Sequence, residues 1–394
     1  MEVLIKEIEY SLMRLGSTDM IKNEAIAALQ IQNDHADSYK TLAILSLLEG
    51  KNVEAQYYAE QTLQVHPTNI SALRVLAEVH MNARNYDKAI EYYNTIVRVV
   101  GRRNTPSEMY ILKDAAMKIA DHYFSVGDVS RATECYQSIN AMFPGEEFSR
   151  NALAELNKPE IRQLIAQTAP HIPLPPPHLF HFVTSNTDVE CYHNTGLDSC
   201  VLFNKLVADA GLLLDGSRRI LDFGCGVGRI ARHWHLPAQS IYGTDYNPNL
   251  ILWCRRYLAG NFDTNPLVGR TRYPDAQFDF VYAFSVFSHL AKPAQTFWIQ
   301  EYARIVKPRG FLLLTINGDY FLPQLSSQDK AAFERGELVV WDQIREGTNH
   351  CAAFHPFPYV KDKMLDGKFE IVTHIPGNTE PRITQDIYLL RHCA

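Results

Sequence analysis

The chain has 394 residues, of which 46% are hydrophobic and 21% are charged, and its formal net charge is −6 at pH 7. This length allows about two or three domains with separate cores, and the composition is that of an ordinary globular protein. The negative charge argues against nucleic acid or an anionic membrane as the main partner, and no apolar run approaches the ~18 residues of a membrane-spanning helix.

The cysteines and the first residues of the chain predict a cytoplasmic location. The chain has seven cysteines and no C-x-x-C pair, and an odd number of scattered cysteines is typical of reduced thiols. The N-terminal residues mix acids and bases and lack the pattern of a signal peptide. We therefore expect a protein without disulfides that stays in the cytoplasm.

Residues 1–157 carry a repeating pattern. Ala55 and Ala89 are 34 residues apart, and Ala132 is the equivalent residue of a third unit. The spacing from Ala89 to Ala132 is nine residues longer because of a polar stretch, residues 101–109, that is typical of a loop. A period of 34 residues is that of a repeated helix–turn–helix unit. The pattern predicts an all-helical domain in which neighbouring units stack.

These units resemble the tetratricopeptide repeat family. Leu42-Ala43, Leu76-Ala77 and Ile119-Ala120 fall where the first helix of that family carries a large residue followed by a small one. Tyr93 and Tyr136 occupy the large position of its second helix. The resemblance implies a solenoid that binds a protein or peptide partner or associates with itself. A solenoid that only scaffolds or dimerises the chain is the other interpretation.

A proline-rich segment follows the repeats. Residues 170–178 contain five prolines, and proline-rich chains are extended and semi-rigid. We therefore predict a linker over residues 158–178 and a second domain over residues 179–394.

The second domain opens with a predicted strand that ends at Asp222. Three glycines at alternate positions follow, Gly224, Gly226 and Gly228, and seventeen residues later a second apolar run ends in Asp245. Glycines in a strand-to-helix turn let a ligand lie against the backbone, and an acid at the end of the next strand can accept ribose hydroxyls. The pattern predicts a nucleoside-binding α/β domain.

The glycine spacing distinguishes between nucleosides. Dinucleotide-binding turns follow G-x-G-x-x-G, but Arg229 stands where the third glycine would be. Asp222 suits a cationic ligand better than a pyrophosphate. Together with two later strand patterns, residues 274–290 and 303–315, these features resemble the class I S-adenosylmethionine-dependent methyltransferases. In the second pattern Arg309 replaces a glycine, which matters only if that position needs a positive φ.

The resemblance covers about residues 180–394 and implies a Rossmann-like domain with a seven-stranded sheet and S-adenosylmethionine as its cofactor. Ligands of such sheets bind at the carboxyl ends of the parallel strands. The predicted cofactor-binding residues at strand ends are therefore Asp222, Gly224, Gly226, Asp245, Tyr246, Asn265, Phe284 and Ser285. Tyr192 is added from the resemblance alone, because members of the family close the site with a helix before the first strand, here predicted over residues 197–210.

Two histidines are candidate bases, since an oxygen or protonated nitrogen acceptor must lose a proton during methyl transfer. His289 follows the fourth strand by about one helical turn, and the alternative is that it only orders that turn. His355 lies in a long excursion, residues 318–360, that is predicted to form a lid over the acceptor with Asp319, Tyr320, Trp341 and Arg345. Metal binding is not expected, because neither His350 nor His355 has cysteines or carboxylates at ligand spacing.

The sequence thus predicts a methyltransferase that acts on an oxygen or nitrogen of a small-molecule, sugar or peptide acceptor, with repeats that dock the acceptor or mediate oligomerisation. The alternative is a catalytically weak or inactive scaffold that works through protein–protein interaction. The intact Asp222, Gly224, Gly226 and Asp245 favour the enzyme. A nicotinamide oxidoreductase is less well supported, because Arg229 breaks its glycine pattern.

Overall fold

The computed structural model describes residues 18–101, 106–184, 186–380 and 382–393. The chain divides into two units, Met1–Pro176 and Pro177–Ala394. Among the helices that the structure describes, none is long and apolar enough to cross a membrane. The cytoplasmic location stays a prediction from the sequence.

The first unit is built of consecutive helices, each packed against the next. In chain order they are α1 (Thr18–Ile31), α2 (Ala36–Leu48), α3 (Asn52–Val65), α4 (Ile70–Asn82), α5 (Tyr86–Val100), α6 (Pro106–Ser125), α7 (Val129–Met142), α8 (Glu147–Leu156) and α9 (Pro159–Thr168). The all-helical repeat array that the sequence predicts is confirmed. Of the predicted loop at residues 101–109, residues 102–105 lie outside the described part, and α6 begins at Pro106.

The repeat positions are equivalent in three dimensions. Ala55, Ala89 and Ala132 are all fully buried, so each second helix packs closely against its neighbours. The Tyr93 hydroxyl donates to the Glu78 carboxylate at 2.7 Å, and Tyr136 donates to an aspartate the same fifteen residues earlier at 2.8 Å. The second and third units therefore share one packing plan despite the longer spacing between them.

The segment predicted as a linker is partly helical. Pro159 stands in the first turn of α9, where proline is well tolerated, and Ile161 and Ile165 are buried. Residues 169–172 form turns and a bend, residues 173–176 have no regular structure, and α10 (Pro177–Thr184) starts directly after them. The prolines end the helix but do not extend the whole of residues 158–178.

The second unit is organised around a seven-stranded sheet of order β3-β2-β1-β4-β5-β9-β8. Its strands are β1 (Ile220–Phe223), β2 (Ile241–Asp245), β3 (Asn261–Thr264), β4 (Phe278–Ala283), β5 (Val306–Ile316), β8 (Phe369–Ile375) and β9 (Asp386–His392). The first five are parallel, and β9 runs antiparallel to both of its neighbours. The order reverses between β1 and β4, and ligands of open α/β sheets bind at such a switch point. This topology confirms the predicted Rossmann-like fold.

The sheet is covered by α11 (Val189–Asp209), α12 (Pro248–Tyr257) and α13 (Lys292–Ile305), and an excursion after β5 carries α14 (Ser327–Glu334) with the short ladder of β6 (Val339–Trp341) and β7 (Ala352–Phe354). All residues of β1 and β4 are buried, as expected for strands covered on both faces. Phe223 contacts Trp298 and Tyr302 of α13 edge to face, with ring centres 4.5 and 5.1 Å apart. This core holds the end of β1 in place.

Two helix boundaries differ from the sequence prediction. Helix α11 begins at Val189 and not at residue 197, because the Asp188 carboxylate accepts the Cys191 N–H and caps it. Gly196 therefore lies inside the helix, where a Cβ atom would overlap the Arg229 carbonyl oxygen. The helix predicted after the glycine turn is a single 3-10 turn, Ala231–His233.

The Arg309 position has a backbone conformation that suits glycine. Its φ is 62° and its side chain is exposed, and a left-handed conformation costs a non-glycine residue about 1–2 kcal/mol. We expect Arg309→Gly to raise the free energy of unfolding by about 0.5–1 kcal/mol, since glycine also loses more entropy on folding. Arg309→Ala is the matched control, because it removes the side chain but keeps Cβ. Equal free energies of unfolding of the two variants in urea titrations would show that the left-handed backbone at residue 309 causes no strain.

Candidate functional site

A cavity of about 680 Å³ lies at the carboxyl ends of the parallel strands. It brings together residues that follow β1, β2, β3 and β4, which are far apart in sequence. Seven of the predicted site residues line it: Gly224, Asp245, Tyr246, Asn265, Phe284, Ser285 and His289. Asp222, Gly226, Tyr192 and His355 are not part of its lining.

The glycine turn after β1 is tightly enclosed. Gly224, Gly226 and Gly228 have φ values of 73°, 55° and 69°. A Cβ atom at Gly224 or Gly226 would overlap a methyl group of Val286 or Val183, respectively. These positions therefore accept only glycine, for reasons of both conformation and space. Gly224 contributes backbone to the cavity wall, whereas Gly226 is covered by the side chain of Val183.

Asp245 is held in one orientation by backbone donors. One of its carboxylate oxygens accepts the Gly226 N–H at 2.9 Å and the other accepts the Asn247 N–H at 2.8 Å. Burial raises the pKa of Asp245, and the two N–H groups oppose that rise. Each carboxylate oxygen keeps a second lone pair, so the side chain can still accept hydrogen bonds from a ligand in the cavity.

Two other predicted residues line the same region. The Asn265 side-chain oxygen lies 2.8 Å from the Thr244 hydroxyl, and its amide donates to the Pro266 carbonyl at 2.8 Å. Tyr246, which is 46% exposed, forms part of the rim. Asn265 therefore holds the ends of β2 and β3 together beside Asp245, while Tyr246 keeps freedom to adjust to a ligand.

Asp222 lies behind the glycine turn. It is buried, and its carboxylate accepts the Ala231 N–H at 3.2 Å. Burial raises the pKa of Asp222 to about 7, although the Tyr282 hydroxyl, the Ala231 N–H and the charge of Arg229 oppose the rise. Its influence on a ligand would therefore be exerted through its charge and through the turn that it holds.

Tyr192 also supports the turn from behind. Its ring stacks on Phe180 with centres 4.6 Å apart, and its hydroxyl donates to the Val227 carbonyl at 3.1 Å. The side chain is fully buried, and burial raises the pKa of its hydroxyl. The structure thus places Tyr192 against the loop backbone and outside the cavity lining.

The turn after β4 is fixed by a polar network that the sequence did not indicate. Ser285 has a φ of 61°, and its N–H donates to the Thr315 hydroxyl at 2.7 Å. The amide nitrogen of Gln385 lies 2.9 Å from the Ser285 hydroxyl and 2.7 Å from that of Ser288. Gln385 precedes β9, a hundred residues from Ser285, and no local motif could have linked the two.

His289 lines the cavity with a defined tautomer. Its Nδ1 lies 2.8 Å from the Cys351 carbonyl oxygen, and because a carbonyl can only accept, Nδ1 carries the proton. The other ring nitrogen, Nε2, is then the acceptor. Burial lowers the pKa of His289, partly offset by the Cys351 carbonyl. The side chain is therefore a neutral imidazole near pH 7.

His355 has a different environment. It is 1% exposed, its backbone N–H donates to the Asn317 carbonyl at 2.8 Å, and its ring lies near Tyr359. Burial lowers the pKa of His355 to about 3, so its ring stays neutral over the physiological range. The structure brings His289 to the cavity but buries His355 outside the cavity lining.

The part of the excursion that lines the cavity differs from the part that the sequence predicted. It has its own small core of Leu325, Phe333, Val339 and Phe354. Residues 347–350 line the cavity, and the predicted lid residues Asp319, Tyr320, Trp341 and Arg345 do not. Trp341, for example, packs on Phe354 and donates to Asp329. The excursion thus covers the site through one turn, which starts at Gly347 with a φ of 81°.

A further lining residue is Arg229, whose guanidinium carbon lies 4.6 Å from the ring centre of Phe284. The sequence used this residue only as a departure from the dinucleotide pattern. Among the described residues there is no group of three or more histidines, cysteines or acids that could hold a metal ion.

Comparison with known protein families gives two matches. Residues 221–314 match the model of a methyltransferase domain, and residues 46–101 match that of a tetratricopeptide repeat. The two matches fall on the α/β unit and on helices α2 to α5. The methyltransferase-domain match implies S-adenosylmethionine as the cofactor.

Curated relatives are similar over part of the chain. Malonyl-[acyl-carrier protein] O-methyltransferase of Yersinia pestis is 23% identical over 185 residues, which cover 44% of this chain and 58% of that protein. The protein of the same description from Enterobacter lignolyticus is 26% identical over 117 residues, 30% of this chain and 46% of its own length. Cellulose synthase 1 operon protein C of Komagataeibacter xylinus is 22% identical over 178 residues, 42% of this chain and 13% of that protein. The chain therefore spans less than two thirds of each of these relatives.

Solved structures with similar segments include an S-adenosylmethionine-dependent methyltransferase from Methanosarcina mazei, 19% identical, which matches 48% of this chain and 97% of its own with a TM-score of 0.34. Magnesium protoporphyrin IX methyltransferase from Synechocystis is also 19% identical and matches 51% of this chain and 84% of its own with a TM-score of 0.34.

Proposed function

We propose that this chain, which contains a class I S-adenosylmethionine-dependent methyltransferase domain preceded by tetratricopeptide repeats, transfers a methyl group to an oxygen or nitrogen of a small-molecule, sugar or peptide acceptor. The observation that carries the proposal is a neutral imidazole, His289, in the same cavity as the oriented carboxylate of Asp245. One group can take a proton while the other holds a nucleoside.

The residues of the cavity fit the cofactor. Its volume of about 680 Å³ lies in the range of sites for small ligands, roughly 300–1,000 Å³. Asp245 would accept ribose hydroxyls, the backbone at Gly224 would lie against the ligand, and Asn265 and Tyr246 would border the same end. When bound, S-adenosylmethionine supplies a methyl group on a positively charged sulfur, which is a good leaving group.

His289 would then take the proton of the acceptor on Nε2, which is a lone-pair nitrogen because Nδ1 donates to Cys351. The low pKa of His289 keeps the ring in its basic form at neutral pH. The walls of the cavity would add to the rate enhancement in two ways, by aligning the acceptor with the methyl group and by excluding water. His355 remains the second proposed base, but its burial outside the lining supports it less well.

The test is transfer of a labelled methyl group. The purified full chain is incubated with methyl-labelled S-adenosylmethionine and fractionated lysate, and the labelled product is identified. We expect one product class that depends on the full chain and is lost with Asp245→Ala. Binding of the cofactor without any labelled product in any fraction would favour the inactive scaffold, and absence of cofactor binding would contradict the proposal itself.

The raised pKa of Asp222 predicts a pH dependence of cofactor binding. The ionised carboxylate attracts the sulfonium, so binding favours loss of the proton, and affinity should rise through a pH of about 7. We expect S-adenosylmethionine to bind up to about tenfold more tightly at pH 8 than at pH 6, the limit for one proton. The affinity for S-adenosylhomocysteine, which lacks the sulfonium charge, should rise less over the same pH range. Calorimetry on Asp222→Asn is the control. If the affinity of that variant for S-adenosylmethionine rises with pH as in wild type, Asp222 is not the group that causes the pH dependence.

We also propose that the repeats dock the acceptor. A fragment of residues 170–394 contains every residue that lines the cavity, so we expect it to bind S-adenosylmethionine as the full chain does. Its turnover of the acceptor should fall mainly through a higher KM, because docking energy is shared by ground and transition states. An unchanged KM together with loss of a dimer in light scattering would support self-association instead. An insoluble fragment would contradict both roles.

A further inference from the structure

Arg229 presents a positive charge to the cavity without an acidic partner. The side chain is 9% exposed and lines the cavity, and its guanidinium packs on the ring of Phe284 at 4.6 Å. In the part of the chain that the structure describes, Asp222 acts on this guanidinium through its charge and not through a hydrogen bond or ion pair. Arg304 shows the usual arrangement by contrast, with ion pairs to Glu301 at 2.6 Å and to Asp275 at 2.7 Å.

A largely buried guanidinium without a paired anion is costly, because it loses part of its hydration. The acid that acts on it electrostatically is Asp222, but that carboxylate accepts the Ala231 N–H. The pKa of Asp222 of about 7 also leaves it partly neutral at physiological pH. The positive charge of Arg229 is therefore incompletely compensated in the protein alone.

The backbone around Arg229 is built to hold it there. Helix α11 approaches so closely at Gly196 that a Cβ atom would overlap the Arg229 carbonyl oxygen. The guanidinium lies over the ring of Phe284, and this contact uses none of its N–H donors as hydrogen bonds to an oxygen, so they remain available to a ligand. A planar guanidinium presents paired N–H donors that match the two oxygens of a carboxylate.

We propose that Arg229 is the carboxylate-binding residue of this cavity. The inference rests on the proposed function, because that function supplies two sources of the anion. One is the carboxylate of the methionyl part of the cofactor, and the other is a carboxylate of the acceptor. Asp245 would hold the ribose at one part of the cavity, and Arg229 would hold the anionic group at another.

The experiment compares ligands that differ by the methionyl group. Calorimetry on the full chain measures the Kd of S-adenosylhomocysteine, which carries the carboxylate, and of 5′-methylthioadenosine, which lacks the amino-acid portion. The variants are Arg229→Met and Arg229→Lys. The lysine keeps the positive charge but lacks the paired N–H donors of the guanidinium. Arg232→Met is the matched control, since Arg232 is also buried, lies three residues on and is not part of the cavity lining.

If the cofactor supplies the carboxylate, Arg229→Met should weaken S-adenosylhomocysteine by about 10- to 100-fold and leave 5′-methylthioadenosine unchanged, with Arg229→Lys between wild type and Met. Arg232→Met should keep the wild-type ratio of the two Kd values even if it lowers stability. Because the ratio is taken within one variant, a general loss of folding does not imitate the effect.

If the acceptor supplies the carboxylate, the ratio of the two Kd values in the Arg229 variants should stay as in wild type. Acetate should then raise the Tm of the wild-type chain saturated with S-adenosylhomocysteine. It should not raise the Tm of Arg229→Lys or Arg229→Met under the same conditions. An unchanged ratio with no Arg229-dependent effect of acetate would overturn the inference. Failure of the wild-type chain to bind S-adenosylhomocysteine would instead overturn the proposed function.

Discussion

Replacing His289 with alanine is expected to lower kcat by about 10²- to 10⁴-fold, with affinity for S-adenosylhomocysteine close to that of the wild type. The imidazole donates through Nδ1 to the Cys351 carbonyl, so Nε2 is the nitrogen that can accept a proton from the acceptor. Loss of that acceptor removes an interaction made during the chemical step, which lowers kcat more than it changes binding.

The pH profile gives a second readout of the same role. Burial lowers the pKa of His289, so the basic form persists to lower pH than for a free histidine, whose pKa is about 6.5. The rate at saturating substrate should fall as pH drops through a midpoint below that value. The acid limb should disappear in His289→Gln, which cannot titrate there but can still donate to Cys351.

His355→Ala is the matched control among the histidines. The ring is buried outside the cavity lining, so its loss should reduce stability while the folded fraction keeps its kcat. A drop in kcat for His355→Ala with an unchanged His289→Ala would reverse the two assignments. Loss of cofactor binding in His289→Ala would show that the side chain only orders the turn after β4.

The parts of the fold that the sequence predicted depend on local patterns. Apolar runs that end in Asp222 and Asp245 predict the ends of two strands. In the structure β2 ends at Asp245, and β1 ends one residue after Asp222, at Phe223. The alternating glycines predict a tight turn because a positive φ and the absence of Cβ are properties of the single residue. The repeat period is likewise visible in the sequence, because each unit needs a small residue at the same buried position and has an alanine there.

The parts that were missed depend on contacts between distant residues. The turn at residues 347–350 lines the cavity because Gly347 donates to the His289 carbonyl at 2.8 Å, a pairing that no local pattern encodes. Gln385, which directly precedes β9, contacts Ser285 in the same way. The start of α11 was misjudged because a single capping residue, Asp188, outweighs the low helix propensity of Gly196.

Residue type alone also did not separate the two histidines or reveal Arg229. His289 and His355 are both plausible bases in sequence, and only the cavity lining distinguishes them. Arg229 was informative in sequence as a residue that is not glycine. Its burial without an acidic partner depends on α11 and on Phe284, which approach it only in the folded chain.

Asp245→Ala is expected to weaken binding of S-adenosylhomocysteine by about 1.5–3 kcal/mol, the scale for hydrogen bonds to a charged group. In the structure both carboxylate oxygens accept backbone N–H groups, from Gly226 and Asn247, which fix the side chain at the end of β2. Removing the carboxylate takes away the acceptor for the ribose hydroxyls and also leaves those two N–H groups without their partner. Calorimetry on the full chain measures the sum of both effects.

A double-mutant cycle separates them. The second change is made in the ligand, by using a 2′-deoxy analogue of S-adenosylhomocysteine with wild type and with Asp245→Ala. If Asp245 binds the ribose, the two losses should not add, because either change alone already removes the same hydrogen bond. Fully additive losses would mean that Asp245 acts only by holding the glycine turn through Gly226, and the assignment of the ribose to this carboxylate would then be wrong.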